Sequence, residues 1–472
     1  MSGLLAAAIL VPVLSGLVVL LLRRAPGAFR NVFAVLASAA TLAIVLALWA
    51  RAGTASHGLW LMGILRVLPS PLMVVDGVGL LLATVFGFVW LLVTIYSTSY
   101  LRGRDFQDDY FGFLLIMLGA VVGLCFSRNL LMIYMFWELA GVATWRLVAF
   151  YRSDREIGAA QKTLLITFAG SVLMLVGFAV LFVEHQTFSP DRLTGPGLSP
   201  WGLLLILAGM VTKSASVPMY VWLPDAQAAA PLPVGAVLSG AVEKVGLIAY
   251  IRIFIQSPLV LPDWWPLLVG GLGAFSAMLA AGVALHTRDY KRVLAYSTVS
   301  QLGYIFIGFA FAGAFGLAAG LIYLIAHSLA KAGLFLAMGV VEKATHQRDL
   351  TELGGLARTM PVTAAAVAVM MLSIVGFPPL LGFWGKFYVI LAAVRGNLVI
   401  AVAALVAAVM TALYMLRLFR MFTGEPRAGV TGRESGLLTT IVAVLGLATL
   451  ALGAAWPWLS RYFDAAVAAT GM

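Results

Sequence analysis

Charged side chains are scarce in this 472-residue chain: Asp, Glu, Lys and Arg make up only 10% of it, where a soluble domain carries about 25%. With 62% hydrophobic residues and a mean hydropathy of +1.03, an ordinary soluble enzyme is excluded. Cysteine is nearly absent. Cys125 stands alone, so no disulfide forms within the chain. No Cys-ligated iron–sulfur cluster fits, since that needs about four thiolates, and zinc-ligand spacing is missing. Of five histidines, only His327 lies deep in an apolar run. No redox centre, cofactor or metal is expected, and no nucleotide motif is present. The net charge of +11 does not indicate nucleic acid, because the Lys and Arg sit in short loops between apolar runs, the signature of topology control.

What is abundant is apolar sequence. Runs long enough to span a bilayer recur from end to end and read as one continuous membrane domain of fourteen spans: 4–22, 32–50, 73–96, 111–127, 129–150, 160–183, 201–223, 232–256, 265–286, 291–312, 314–341, 360–393, 397–420 and 436–456. The first lacks a positively charged leader, so it reads as a span and not a cleaved signal. Lys and Arg in loops and span ends number eighteen after odd-numbered spans. Only six, Arg51, Arg66, Arg128, Arg192, Arg395 and Arg461, follow even-numbered ones. This bias predicts cytoplasmic odd-side loops, with both termini on the opposite side of a cell inner membrane.

Proline interrupts two spans. The seventh reads KSASVPMYVWLPDA, with Pro218 and Pro224. The twelfth reads SIVGFPPLLGFWGKF, with Pro378 and Pro379. Proline removes a backbone donor and clashes with the preceding turn. Lipid tolerates such a break only where protein or a wet cavity satisfies the freed groups. Paired breaks in corresponding positions point to an inverted-repeat transporter with its sites at the breaks. The breaks lie five spans apart, and five is odd, so the two units have opposite orientation. The expected organisation is 1–110 (helices 1–3), 111–256 (first repeat, helices 4–8), 265–420 (second repeat, helices 9–13) and 421–472 (helix 14). The fold class is an all-α polytopic membrane protein with one broken helix per repeat.

Ionisable residues within spans are costly and mark function by default. Glu138 lies mid-span. Lys213 precedes the broken part of the seventh helix, and Glu243 and Lys244 are adjacent in the eighth. Lys291 opens the tenth, His327 and Lys331 share a face of the eleventh, and Lys386 follows the break in the twelfth. Burial loosens a lysine's hold on its proton and a nearby carboxylate tightens it again, so moving the two together or apart toggles the lysine. A histidine is poised near neutrality. The set suits a water-linked proton relay. Plain readings stand beside this. Lys291 and Arg292, near a span end, read equally well as snorkelling to the interface. Adjacent helical residues do not share a face, so Glu243 reads as a structural pair with another helix. Arg146 and Arg252 reach interfaces or pair with acids. Trp201, Trp264, Trp265 and Trp456 fit interfacial belts, and the 48 glycines fit close helix packing.

The segments FWELAG, KSASVPMYVWLPDAQAAAP, RDYKRVLAYSTVSQLGYI, AHSLAKAGLFL and GFPPLLGFWGKF resemble the antiporter-like membrane subunits of respiratory complex I (NADH:quinone oxidoreductase), Mrp cation/proton antiporters and membrane-bound hydrogenases. The resemblance covers roughly residues 70–420 and implies fourteen helices with two inverted five-helix repeats. By resemblance Glu138 is the fifth-helix glutamate that pairs with Lys213, and Lys244 is the central lysine of the eighth helix. His327 and Lys331 form the eleventh-helix relay, and Lys386 is the terminal group of the twelfth. Tyr323 departs from the pattern, standing where some members carry a second histidine; its hydroxyl passes a proton or holds a water. Arg146 also departs, and is expected to pair with Glu138 and weaken its control of Lys213. The compact length and Lys386 look closest to the Mrp and hydrogenase types.

The implied function is proton translocation by one subunit among other membrane subunits, related antiporter-like ones included. It is driven by a redox partner or by a cation gradient, with Na+ and K+ as the candidate ions. Two alternatives stand against it: a self-contained secondary cation/proton transporter, which the scarcity of buried carboxylates disfavours, and a non-pumping scaffold.

Overall fold

The computed structural model describes residues 2–21, 26–52, 57–59, 72–193, 199–311, 313–427, 433–434 and 436–468. Arg23 and Arg24, counted among the eighteen basic residues after odd-numbered spans, and Arg66, counted after an even-numbered one, lie outside the described residues. The helices run α1 Ser2–Leu21, α2 Gly27–Ala52, α3 Gly77–Tyr100, α4 Gln107–Phe126, α5 Leu130–Val148, α6 Asp154–His185, α7 Pro200–Lys213, α8 Leu223–Ala229 and α9 Leu232–Gly240. They continue with α10 Val245–Tyr250, α11 Trp265–His286, α12 Tyr290–Ala310, α13 Gly313–Thr345, α14 Pro361–Val375, α15 Leu381–Gly396, α16 Leu398–Thr423 and α17 Gly436–Ala468. One antiparallel pair, β1 His57–Leu59 with β2 Met73–Val75, precedes α3. The third span therefore starts at Gly77 and not at residue 73.

Among the described residues, twelve helical segments are long and apolar enough to cross a membrane. Two further apolar helices, α7 and α14, are shorter and stop before Pro218 and Pro378. Pro224 is not a break but sits in the first turn of α8, where no backbone donor is missed. Helix starts follow local chemistry. The Asp76, Asn129 and Asn397 side chains cap α3, α5 and α16 by accepting from Gly79, Leu131 and Ile400 N–H, replacing partners that a first turn lacks. Pro200 and Pro361 sit in the first turns of α7 and α14, where no backbone donor is missed. α14 ends at Gly376, whose φ of +92° suits glycine at a helix C-terminus.

A third irregularity carries no proline. Within the span Leu232–Ile255, Ala241 leaves helical geometry (φ −144°) and Val242–Lys244 form a 3-10 turn. Ile251–Ile255 then form a π turn, a feature frequent at functional sites.

Contacts divide the chain into two compact units. The first comprises Met1–Ser214, Ala241–Asp263 and Ala466–Met472; the second comprises Ala215–Gly240 and Trp264–Ala465. In the first, α1 packs on α4, α6 on α7, and α10 on α7. Glycine makes the last contact possible: a Cβ at Gly246 would lie 2.5 Å from the Met210 carbonyl oxygen. In the second, α11 packs on α12, α13 on α9 and α15, and α16 on α11. Gly273 of α11 faces Gly303 of α12, and a Cβ on Gly273 would lie 2.6 Å from the Gly303 carbonyl oxygen. Trp201 and Trp264 are exposed, as a belt requires, whereas Trp265 and Trp456 are buried in protein.

Candidate functional site

In the first unit, Lys213 is the last residue of α7 and is buried. Its Nζ donates to the Trp137 carbonyl at 3.5 Å, and a Cβ on Gly141 would lie 3.3 Å from it. α5 thus meets the ammonium at a small residue. Glu138, on α5, is partly exposed and is an electrostatic neighbour of Lys213. Lys244 closes the 3-10 turn and is fully buried. Its Nζ has no hydrogen-bond partner among the described residues. Glu243, also fully buried, is its electrostatic neighbour. Lys213 ends α7, and Lys244 immediately precedes α10, which packs on α7.

Two arginines of this unit are committed elsewhere. Arg146 pairs with Asp109, which Arg152 also reaches at 2.6 Å. The expected pairing of Arg146 with Glu138 is therefore corrected, because a carboxylate in the first turn of α4 takes its charge. Arg252 is buried in the π turn. It donates to the Asp76 carboxylate and, at 2.5 Å, to the Cys125 carbonyl. Asp76 lies just outside α3. Burial pushes its carboxyl up, but the Arg252 charge and hydrogen bonds overcome this and hold it below the usual carboxylate range.

In the second unit, Lys291 is fully buried, so the snorkelling reading is corrected. Its Nζ donates to the Ala230 carbonyl at 3.2 Å and pairs with Glu342 at 3.4 Å. Ala230 ends α8 just before Pro231, and Lys291 supplies a donor to a carbonyl that the helix end leaves open. Arg348 shares Glu342 at 2.5 Å. His327 and Lys331 are both buried on α13, and Lys331 donates to the Leu294 carbonyl at 2.8 Å.

Lys386, on α15, is buried too. Its Nζ donates to the Ile374 carbonyl at 2.8 Å and the Val375 carbonyl at 3.5 Å. These are the last carbonyls of α14, orphaned because the chain breaks at Gly376. A cation at a helix C-terminus is favoured by the helix dipole, so the break builds the lysine's site. Gly385 brings α15 against Tyr323 of α13. The Tyr323 hydroxyl donates to Gln301 Oε1 at 2.5 Å, Gln301 Nε2 to Tyr414 Oη at 2.9 Å, and Tyr414 Oη to Ser297 Oγ at 2.9 Å.

The arrangement can hold protons on buried amines beside partial negative charge from carbonyls and carboxylates. Sequence reading missed Glu342, because it ended the eleventh span at residue 341 while α13 runs to Thr345. It also missed Gln301 and Tyr414, because the search of the spans was for groups charged near neutral pH.

Residues 127–411 match the family profile described as NADH:quinone oxidoreductase/Mrp antiporter, TM. The chain is 34% identical to an Na(+)/H(+) antiporter subunit of Alkalihalophilus pseudofirmus, covering 74% of this chain and 48% of that protein. It is 32% identical to one of the F(420)H(2) dehydrogenase subunits of Methanosarcina mazei, covering 80% and 63%. The chain thus spans about half to two thirds of these relatives. In fold it is similar to a chain of the Mrp complex from Dietzia sp. DQ12-45-1b. That match has a TM-score of 0.88 at 24% identity and covers 99% of this chain and 96% of that one.

Proposed function

Because the chain belongs to the NADH:quinone oxidoreductase/Mrp antiporter transmembrane family, we propose that this multi-pass membrane protein is a proton-translocating, antiporter-like component of a multisubunit membrane complex. The observation that carries the reading is the coincidence of buried lysines with irregular helix ends. Lys213 ends α7, Lys244 closes the 3-10 turn, and Lys386 binds the open carbonyls of α14. A membrane helix has no structural need for such groups, whose burial costs several kcal/mol.

In this reading Glu138 modulates Lys213, Lys244 passes the proton on within its unit, and His327, Lys331 and Lys386 carry it in the other. Lys291 and Tyr323 assist, and the breaks at Pro218, Pro378 and Pro379 open backbone to the path. The two short helices at the breaks bring the twelve long segments to the fourteen spans proposed, with inverted repeats at 111–256 and 265–420 and cytoplasmic odd-side loops in an inner membrane. In this reading the driving force comes from a redox partner or a coupled cation gradient. Na+ is a candidate ion, given one relative's name.

The test compares proton movement by liposomes holding the purified native complex with liposomes holding the chain alone. Transport by the complex and none by the chain is expected. Full transport by the chain alone would establish a self-contained transporter instead.

A further inference from the structure

Lys213, Lys244 and Lys291 each have a carboxylate within electrostatic reach: Glu138, Glu243 and Glu342. For Lys386 no charged side chain among the described residues plays that part. Its ammonium lies over two ring faces, 4.5 Å from the Tyr304 centroid and 5.4 Å from that of Tyr323. Both distances are inside the roughly 6 Å reach of a cation–π contact, and such contacts are strongest where water is excluded. Both rings are fully buried.

The hydroxyls are turned to other tasks, which fixes the faces toward the lysine. Tyr304 donates to the Ala404 carbonyl at 2.7 Å, and Tyr323 donates to Gln301. Gln301 is in turn held by Tyr414 and Thr411 of α16 at 2.9 and 3.2 Å. The rings brace one another in an edge contact, with centroids 5.9 Å apart. Tyr323 thus gives its short hydrogen bond to an amide, and its hydroxyl reaches Lys386 only through the Ile374 carbonyl, 3.4 Å from the hydroxyl and 2.8 Å from the ammonium. It presents its face, and an amide blocks simple proton hopping along its hydrogen bond.

We propose that Tyr304 and Tyr323 form an acid-free aromatic receptor for the Lys386 ammonium, with Gln301 as the positioning residue that holds the Tyr323 face. The inference rests on the reading that Lys386 takes part in proton transfer. Its consequence is electrostatic: the host is neutral, so the protonated site keeps its full positive charge and acts on its surroundings without a counter-ion.

The test uses the native complex in lipid with lysine labelled at Nζ. Solid-state 15N NMR reads the receptor and proton transport reads its use. The resonance lost in Lys386→Met identifies the group, and it is expected to be displaced by ring currents from the ordinary lysine position. Tyr304→Leu moves it back and slows transport about tenfold, while Tyr304→Phe, which keeps the face, stays within about twofold. Gln301→Leu and Tyr323→Phe break the same hydrogen bond. They give equal partial shifts, and the double variant is no worse than either. An unchanged Lys386 resonance in both Tyr304→Leu and Tyr323→Leu overturns the receptor. Normal transport in Lys386→Met overturns instead the role of this lysine in proton transfer, whatever the resonance shows.

Discussion

Replacing Glu342 by glutamine is expected to destabilise the protein by about 3 kcal/mol, because it strands a buried cation. The Lys291 side chain is 0% exposed and Glu342 is 15% exposed, with 3.4 Å between them. At an effective dielectric of about 20 such a pair interacts by roughly 5 kcal/mol, and the part-exposure of Glu342 trims this. Glutamine cannot supply the charge. Lys291 then keeps only the Ala230 carbonyl, with the Arg348 cation nearby and no shared carboxylate between them. Arg348 itself is 38% exposed, so Arg348→Gln should cost only about 1 kcal/mol. Thermal unfolding of the purified protein in detergent, followed by tryptophan fluorescence, compares Glu342→Gln, Arg348→Gln, Lys291→Met and the Lys291→Met/Glu342→Gln pair. The double variant should be more stable than Glu342→Gln alone, since methionine fills the space without a charge. A Glu342→Gln loss below about 1 kcal/mol, or a double variant no better than the single, would refute the stranded-cation argument.

The Asp76 carboxyl titrates lower when folded than when unfolded, so its contribution to stability is complete above the ordinary Asp value of about 3.9. That contribution is lost as pH falls through the folded value. Unfolding followed below about pH 5 should therefore show an acid-labile component in the wild type that Asp76→Asn lacks. Gly273→Ala places a Cβ 2.6 Å from the Gly303 carbonyl oxygen and should cost about 1–3 kcal/mol. Gly271→Ala meets nothing within 4 Å and should instead stabilise α11 by about 0.5–1 kcal/mol.

The spans were legible because a membrane segment needs a long uninterrupted apolar run, and both proline breaks were legible because proline cannot continue a helix. The irregular turn at Ala241–Lys244 carries no such mark. The sequence reading places Glu243 and Lys244 on a regular helix instead. For Lys291 the sequence leaves snorkelling and burial equally open, because distance from a span end says nothing about what covers the side chain; here the α8 end and Glu342 do. Arg146 was assigned to Glu138 by its spacing on one helix, while its partner, Asp109, stands on α4. Gln301 and Tyr414 were invisible to a search for charge, although both are polar groups buried in long apolar helices.

The central claim is that protons cross the membrane through side chains of this chain. The most direct measurement is proton movement in proteoliposomes holding the native complex, with wild type, Lys244→Ala and Glu138→Gln compared at equal assembly. The account predicts that both variants lose proton movement while the complex stays intact. Unchanged movement in both would contradict it, moving the path elsewhere in the complex and leaving this chain as a scaffold.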